Sequence, residues 1–205
     1  MSEQRLNDEQ THSETHAPKT GVLVVNLGTP DEPTTPAVRR YLKEFLSDPR
    51  VLDINPVGRW LLVNLIISLF RAPRSAKAYQ KVWTEQGSPL LVHGQALVGG
   101  LQEELGPWPV RLAMRYGSPS IEAGLNELNS LGCDRIVIFP LYPQYASSTT
   151  GSTLEEVYRV LSARWNTPSI VVIPPYFDEE AFLEAFVKVA EPTLAELAPD
   201  HYLFS

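Results

Sequence analysis

The stretch from Arg135 to Ser152 constrains the fold more than any other part of the chain. It opens on Ile136 to Phe139, a short β-branched run after a Gly132-Cys133-Asp134 turn, and such a run predicts a buried strand. Pro140 and Pro143 then bar both a helix and a central ladder position, so the chain must leave the sheet in extended form. Ser152 and Glu155 have capping-box spacing ahead of Leu154, Val157, Tyr158 and Leu161, which predicts a helix starting at Ser152. Between strand end and helix start come Tyr142, Gln144, Tyr145, Ser147, Ser148 and Thr149. Ligands of open α/β sheets sit outside the carboxyl ends of the strands, so this loop is the first site candidate.

The same alternation runs along the whole chain. Gly21 to Leu27 reads as a first strand, apolar throughout as in a sheet buried on both faces. Thr35 is expected to cap a helix with Pro36 at its first position and a stripe of Val38, Tyr41, Leu42, Phe45 and Leu46, ended by Asp48-Pro49. Trp60 to Phe70 is nearly all apolar between Arg59 and Arg71. As a helix it would span roughly 16 Å, about half a bilayer core, so it cannot cross a membrane. Two readings stay open: a buried helix, or a hydrophobic lip facing an apolar ligand or the membrane interface.

Arg74 to Glu85 has helical period with Ala76, Tyr79, Val82 and Trp83 on one side; Gly87-Ser88-Pro89 breaks it, and another helix is expected to about Leu105. Val110 to Met114 is the second strand, and Ser118 is expected to cap a helix with Pro119 at its first position and Gly132 beyond its end. Ser169 to Ile173 reads as a fourth strand, Asp178 to Leu197 as a helix interrupted by Pro192, and His201 to Ser205 as the start of a fifth strand. This order predicts an α/β, Rossmann-like three-layer domain with a parallel sheet and right-handed crossovers over residues 20–205. Met1 to Lys19 has Leu6 as its one large apolar residue and reads as a disordered tail without the apolar core of a signal peptide. Since the chain stops inside its fifth strand, an incomplete chain is expected, lacking the loop that strand would add.

Composition narrows the function classes. A net charge of −7 argues against general nucleic-acid binding, and one cysteine, Cys133, leaves no internal disulfide framework and fits a reducing compartment. Charge is unevenly spread: Thr34 to Glu85 holds nine basic residues against four acidic, whereas Gln86 to Ser205 holds six against fourteen. A basic segment in an acidic protein suits an anionic small molecule or an anionic membrane surface, or is simply a solvated helix face.

Most catalytic motifs are missing. No Gly-x-Gly-x-x-Gly or Walker loop follows a strand, and Leu27-Gly28-Thr29-Pro30 is too short to cradle phosphate. There is no Gly-x-Ser-x-Gly elbow, His93 and His201 stand alone, His12 and His16 fall in the polar tail, and no Cys or His pair has structural-zinc spacing. What remains at the ligand edge is Arg115, Tyr116, Tyr142, Tyr145, Ser147, Ser148 and Thr149, joined by Arg71, Tyr79 and Ser88 beside the apolar lip. An apolar cleft with cationic edges suits a flat hydrophobic molecule bearing carboxylates, although buried tyrosines bonded to backbone would explain each residue singly.

Several motifs together resemble the ferrochelatase family, whose members insert Fe²⁺ into a porphyrin to make haem. They are Val25 to Pro30, Phe45 to Pro49, Gly87-Ser88-Pro89-Leu90, Arg115 to Pro119, and Leu141 to Tyr145 with Thr149 to Ser152, covering about Thr20 to Ser205 in order. The resemblance is nearest to the proteobacterial form. It implies the first of two Rossmann-like domains, with the second absent from this chain and the porphyrin between them. It implies porphyrin contacts at Arg71, Tyr79 and Ser88, Leu27 over the macrocycle, Arg115, Tyr116 and Tyr142 where metal and porphyrin meet, and Ser147 and Thr149 along the same loop.

Leu27 stands where the coproporphyrin branch tends to carry tyrosine, which favours protoporphyrin IX. Ser147 stands where some members carry a cluster-binding cysteine, so no iron–sulfur cluster and no other cofactor is expected, Fe²⁺ being a substrate. The family's catalytic histidine and acidic partner fall beyond Ser205, so no catalytic residue is expected within this chain and the chain alone should not chelate iron. The expected setting is cytoplasmic, as a monomer, with peripheral contact at the inner membrane through Trp60 to Phe70 and no nucleic-acid partner. A chelatase acting on coproporphyrin or a sirohydrochlorin-like ring, a non-catalytic tetrapyrrole-binding fragment, and an interaction protein using the apolar lip are the alternatives.

Overall fold

The computed structural model describes residues 18–201 and 203, so the expected tail lies outside them except for Pro18 and Lys19. Four strands, β1 (Thr20–Thr29), β2 (Val110–Gly117), β3 (Arg135–Pro140) and β4 (Ser169–Val172), form one parallel sheet in the order β2-β1-β3-β4. β1 is paired on both sides, with Val22 opposite Val110 on one flank and opposite Val137 on the other. Alternate residues of a strand face opposite ways, and both faces of β1 are apolar. Leu23 and Val25 pack with Leu125, Leu128, Ile136, Ile138 and Val157 under α5 (Ile121–Ser130) and α6 (Ser152–Ser162). Val22 and Val24 pack with Val110, Leu112 and Met114 against Leu91, Val98, Leu101 and Leu105 of α4 (Pro89–Leu105). The two-sided burial anticipated from the unbroken apolar run is therefore what makes this a three-layer α/β domain.

A third apolar cluster sits over the carboxyl rim of the sheet. α1 (Thr35–Ser47), a π-helical segment Leu62–Arg71 that continues the short α2 (Pro56–Leu61), and α3 (Ala72–Val82) close around Tyr116. Val38, Tyr41, Leu42 and Leu46 are the buried side of α1 and Val63 and Ile67 that of the wide segment. Trp60, Leu61, Leu65, Ile66 and Phe70 face outward, Phe70 at 75 % exposure. One side of the run is thus the buried helix expected, and the other is an exposed apolar face. No helix among the described residues is long and apolar enough to cross a membrane.

Several local expectations are corrected. Thr34, not Thr35, caps α1, its hydroxyl accepting from the Ala37 amide at 3.4 Å. The cap of α5 is Ser120 rather than Ser118, because the Pro119 carbonyl accepts the Met114 amide at 2.6 Å and draws residues 118–120 onto the edge of β2. α6 has no capping box: the chain already turns helically at Ser147–Gly151, so Ser152 lies inside the helical run and its hydroxyl goes elsewhere. α3 stops at Val82, which is exposed, since Thr84 and Gly87 close a backbone turn there. α7 (Glu180–Leu197) carries Pro192 inside it, and no residue of it is buried. Of the expected fifth strand, His201 and Leu203 show no strand structure, and the other three residues lie outside the described set. Strands exist by pairing, and among the described residues β4 has only β3 beside it.

Candidate functional site

The strand order sets the ends of β2, β1 and β3 side by side, and the chain leaves β1 and β3 toward opposite sides of the sheet. Such a switch point opens a crevice at the carboxyl edge. β1 brings Leu27 and Thr29 there, β2 brings Arg115 and Tyr116, and Tyr142 follows β3 by two residues. The ends of β1 and β2 meet backbone to backbone. Gly28 has φ +120° and a Cβ there would fall 1.9 Å from the Tyr116 carbonyl oxygen; at Gly117, with φ +87°, it would fall 2.8 Å from that of Thr29. Only glycine fits such an approach, so the two glycines decide where Tyr116 stands.

Asp48, the residue that ends α1, is the hub of this rim. Its Oδ2 accepts from the Ser152 hydroxyl at 2.5 Å, the Tyr116 hydroxyl at 2.7 Å and Nη2 of Arg115 at 2.9 Å, while Oδ1 accepts the Arg50 amide at 2.7 Å. Nε of Arg115 donates to the Ser152 carbonyl at 3.0 Å and hydroxyl at 2.7 Å, and its guanidinium lies 4.5 Å from the centre of the Tyr116 ring. Burial alone would push the Asp48 carboxyl up, but hydrogen bonds from Ser152, Tyr116 and the Arg50 amide and the Arg115 charge hold it below the ordinary carboxylate value. Burial raises the phenols of Tyr116 and Tyr41, and pushes Tyr142 up to about 12. All three are therefore neutral hydroxyls at neutral pH.

Aromatic rings extend outward from this hub. Phe45 meets Tyr116 edge-on at 5.0 Å, Tyr41 lies parallel to Phe45 at 6.0 Å, Tyr79 meets Tyr41 at 6.4 Å, and Trp83 meets Tyr79 at 6.3 Å. A second tie crosses the rim nearby: Arg50 pairs with Glu155 and its Nη1 donates to the Ser147 hydroxyl at 3.0 Å. The loop after α1 thereby clasps the Ser147–Ser152 turn at two points.

The candidate residues divide accordingly. Arg115 and Tyr116 belong to the hub; Leu27 and Tyr79 line the apolar cluster around Tyr116. Ser88 is buried beneath the rim and accepts from the Thr29 hydroxyl at 2.8 Å. The hydroxyls of Tyr142 and Thr153 are buried without a partner among the described residues. Thr149 turns its hydroxyl back to the Ala146 carbonyl at 3.2 Å, and Ser147 is held by Arg50. Arg71 stands apart from the hub, lining a hollow with Phe70, Arg74, Ser75 and Ala78. Sequence reasoning missed Asp48 and Ser152, reading one as a helix stop and the other as a cap. A carboxylate directly after an apolar stripe was the available signal for Asp48; nothing local marked Ser152.

No group of three His, Cys, Asp or Glu able to hold a metal occurs among the described residues. His93 is on the exposed side of α4, and His201 lines a hollow with Phe186, Leu194 and Leu203. Among the described residues the rim thus combines rings, buried neutral hydroxyls and a paired guanidinium, and no histidine stands at it.

Comparison with known proteins is consistent with that chemistry. Residues 19–205 match the family described as Ferrochelatase. A ferrochelatase of Coxiella burnetii (strain Dugway 5J108-111) is 47 % identical over 188 residues, covering 91 % of this chain and 52 % of the relative. One from Thioalkalivibrio sulfidiphilus is 52 % identical over 174 residues, covering 82 % and 47 %, and one from Chromobacterium violaceum is 43 % identical over 190 residues, covering 90 % and 52 %. The chain spans about half the length of the curated relatives it matches.

Proposed function

This chain belongs to the ferrochelatase family, and on that premise we propose that it supplies the porphyrin-gripping wall of an enzyme that inserts Fe²⁺ into protoporphyrin IX to give protohaem. The observation that carries the reading is Arg115 at the carboxyl edge of the sheet, held over the buried Tyr116 and close enough to Tyr142 to act on its phenol, with Leu27 and Tyr79 in the apolar cluster beside them. Rings and aliphatic carbon suit the face of a macrocycle, and Arg71 and Arg74, in a separate hollow beside Phe70, have the charge that suits its carboxylate fringe. Leu27 in place of a tyrosine favours protoporphyrin over coproporphyrin. Holding the ring bent toward its metal-accepting shape would contribute on the order of 1–5 kcal/mol.

Metal insertion also needs a base for the pyrrole protons, worth roughly 10² to 10⁴-fold. With no histidine at the described rim, the 205-residue chain binds porphyrin without metallating it at a useful rate. Fe²⁺ enters as substrate. We assign no iron–sulfur cluster, since Ser147 offers a hydroxyll held by Arg50 and Cys133 is buried against Gly21, at the opposite end of β1. A titration of the purified chain with protoporphyrin IX, followed by Fe²⁺ under reducing conditions, tests both halves. A Soret shift without metalloporphyrin is the expected result. No shift would remove the binding role, and turnover near that of a full-length homologue would remove the need for an outside base.

We further propose a cytoplasmic monomer without nucleic-acid partners that touches the inner membrane through Trp60, Leu61, Leu65, Ile66 and Phe70, flanked by Arg59, Arg71 and Arg74. Burying such side chains is worth roughly 1.5–3 kcal/mol each. Changing Trp60 and Phe70 to serine together should lower co-sedimentation with anionic vesicles at least about tenfold. Equal partitioning of the variant and the parent chain would rule the lip out.

A further inference from the structure

Asp48 has no free face of its own for a ligand. It is 7 % exposed, and both carboxylate oxygens are occupied by the chain's own donors, three on Oδ2 and one on Oδ1. Any effect it has on a bound molecule must pass through those donors, and two of them are Arg115 and Tyr116. We propose that Asp48 is the positioning residue of this site, fixing through a single oxygen the wholly buried Tyr116 phenol and the Arg115 guanidinium, so that Arg115 is held rigid and charge-paired at the rim where the macrocycle would rest. The assignment rests on the reading of the chain as the porphyrin-binding half.

The electrostatic consequence is specific. Asp48 and Arg115 are opposite charges 2.9 Å apart and cancel locally, so Arg115 is not a free cation awaiting a porphyrin carboxylate. Tyr116 donates to a carboxylate, and as a phenolate it would set two anions together with no proton between them. The ring therefore acts as a neutral donor and not as a metal-binding phenolate. Ser152 completes the brace, giving its hydroxyl proton to Asp48 while its oxygens take Nε of Arg115. Other charged or titratable groups acting on the pair are Arg50, Glu44, Tyr41, Tyr142 and Glu156. Of these only Arg50 bonds to Asp48, through its amide, and none has a hydrogen bond to the Tyr116 hydroxyl among the described residues.

The test uses Asp48→Asn, which keeps the shape and removes the charge, in the full 205-residue chain. Ultraviolet difference absorbance follows tyrosine ionisation, and Asp48→Asn/Tyr116→Phe identifies the Tyr116 contribution. In Asp48→Asn that ionisation should move to lower pH by about one pH unit or more, because the opposing carboxylate is gone. Protoporphyrin IX affinity, read from the Soret titration, should fall about tenfold or more, and Asp48→Glu should recover part of it.

A purely structural role would lower the melting temperature without moving the phenol. Should Asp48→Asn not fold, Ser152→Ala keeps the carboxylate and loosens the brace. It should weaken protoporphyrin binding several-fold while Tyr116 stays hard to ionise. An unmoved Tyr116 ionisation in folded Asp48→Asn, or full porphyrin affinity in Ser152→Ala, overturns the assignment. A parent chain that binds no protoporphyrin while Asp48→Asn still shifts Tyr116 instead overturns the functional reading, and leaves the positioning geometry standing.

Discussion

Gly28→Ala should cost the domain more than about 3 kcal/mol, a large share of the roughly 5–15 kcal/mol that holds a domain of this kind together. Two effects add. The backbone at Gly28 has φ +120°, which L side chains rarely adopt, and the new methyl carbon would meet the Tyr116 carbonyl oxygen at 1.9 Å. That oxygen belongs to a strand backbone and cannot swing aside. Either the last pairs of the β1–β2 ladder, Gly28 with Tyr116 and Thr29 with Gly117, come apart, or the ends of both strands move. Each outcome carries Tyr116 away from Asp48. Urea unfolding of the variant should show a midpoint far below that of the parent chain, and a loss under about 1 kcal/mol would mean that the strand ends are much softer than their contact implies.

Arg115→Met should be nearly as damaging, and its cost should depend on pH. Methionine fills much of the same volume but leaves Asp48 buried without its cation, and breaking a buried pair in this way costs about 3–5 kcal/mol. In the parent chain the folded-state pKa of Asp48 lies below its unfolded value. Its stabilising contribution is therefore complete above the ordinary carboxylate range, near pH 4, and fades as pH falls through the lower folded value. Without Arg115, burial is opposed only by the Ser152 and Tyr116 hydroxyls and the Arg50 amide, and the carboxyl takes up a proton more readily. The gap between parent and variant should be widest at neutral pH and narrow below about pH 4. A gap that is small at neutral pH, or equally wide at both ends, would show that Asp48 and Arg115 do not depend on one another.

The layout of the domain was readable from residues because its signals are local. β1, β2, β3 and β4 each begin within about a residue of the apolar runs that announce them, and α1 ends at Asp48 as its Asp-Pro pair implies. Errors cluster where a side chain had a distant partner to choose. Ser152 has the spacing of a cap, yet its hydroxyl binds a carboxylate 104 positions earlier, and Glu155, the other half of the supposed box, goes to Arg50. Ser118 lost its cap to Ser120 because a β2 amide claimed the Pro119 carbonyl. The apolar run from Trp60 showed that something had to be covered, but not that Val63 and Ile67 would be buried while Leu65 and Ile66 stay outside.

The candidate site was legible as a list and not as a circuit. Arg115, Tyr116 and Tyr142 stand out as polar or aromatic residues at strand ends, which is a pattern along the chain. That one carboxylate joins the first two is a fact of the folded state, and Asp48 had already been accounted for as a helix stop.

The brace around Asp48 also sets a timetable. Its bonds link positions separated by 67, 68 and 104 residues, so it cannot close until β1, β2 and β3 have found one another. A chain caught midway could hold most of its helices and still lack the Asp48 brace. Recovery of the Tyr116–Asp48 contact is thus a late event in refolding, and a better clock for the finished domain than the return of helical structure.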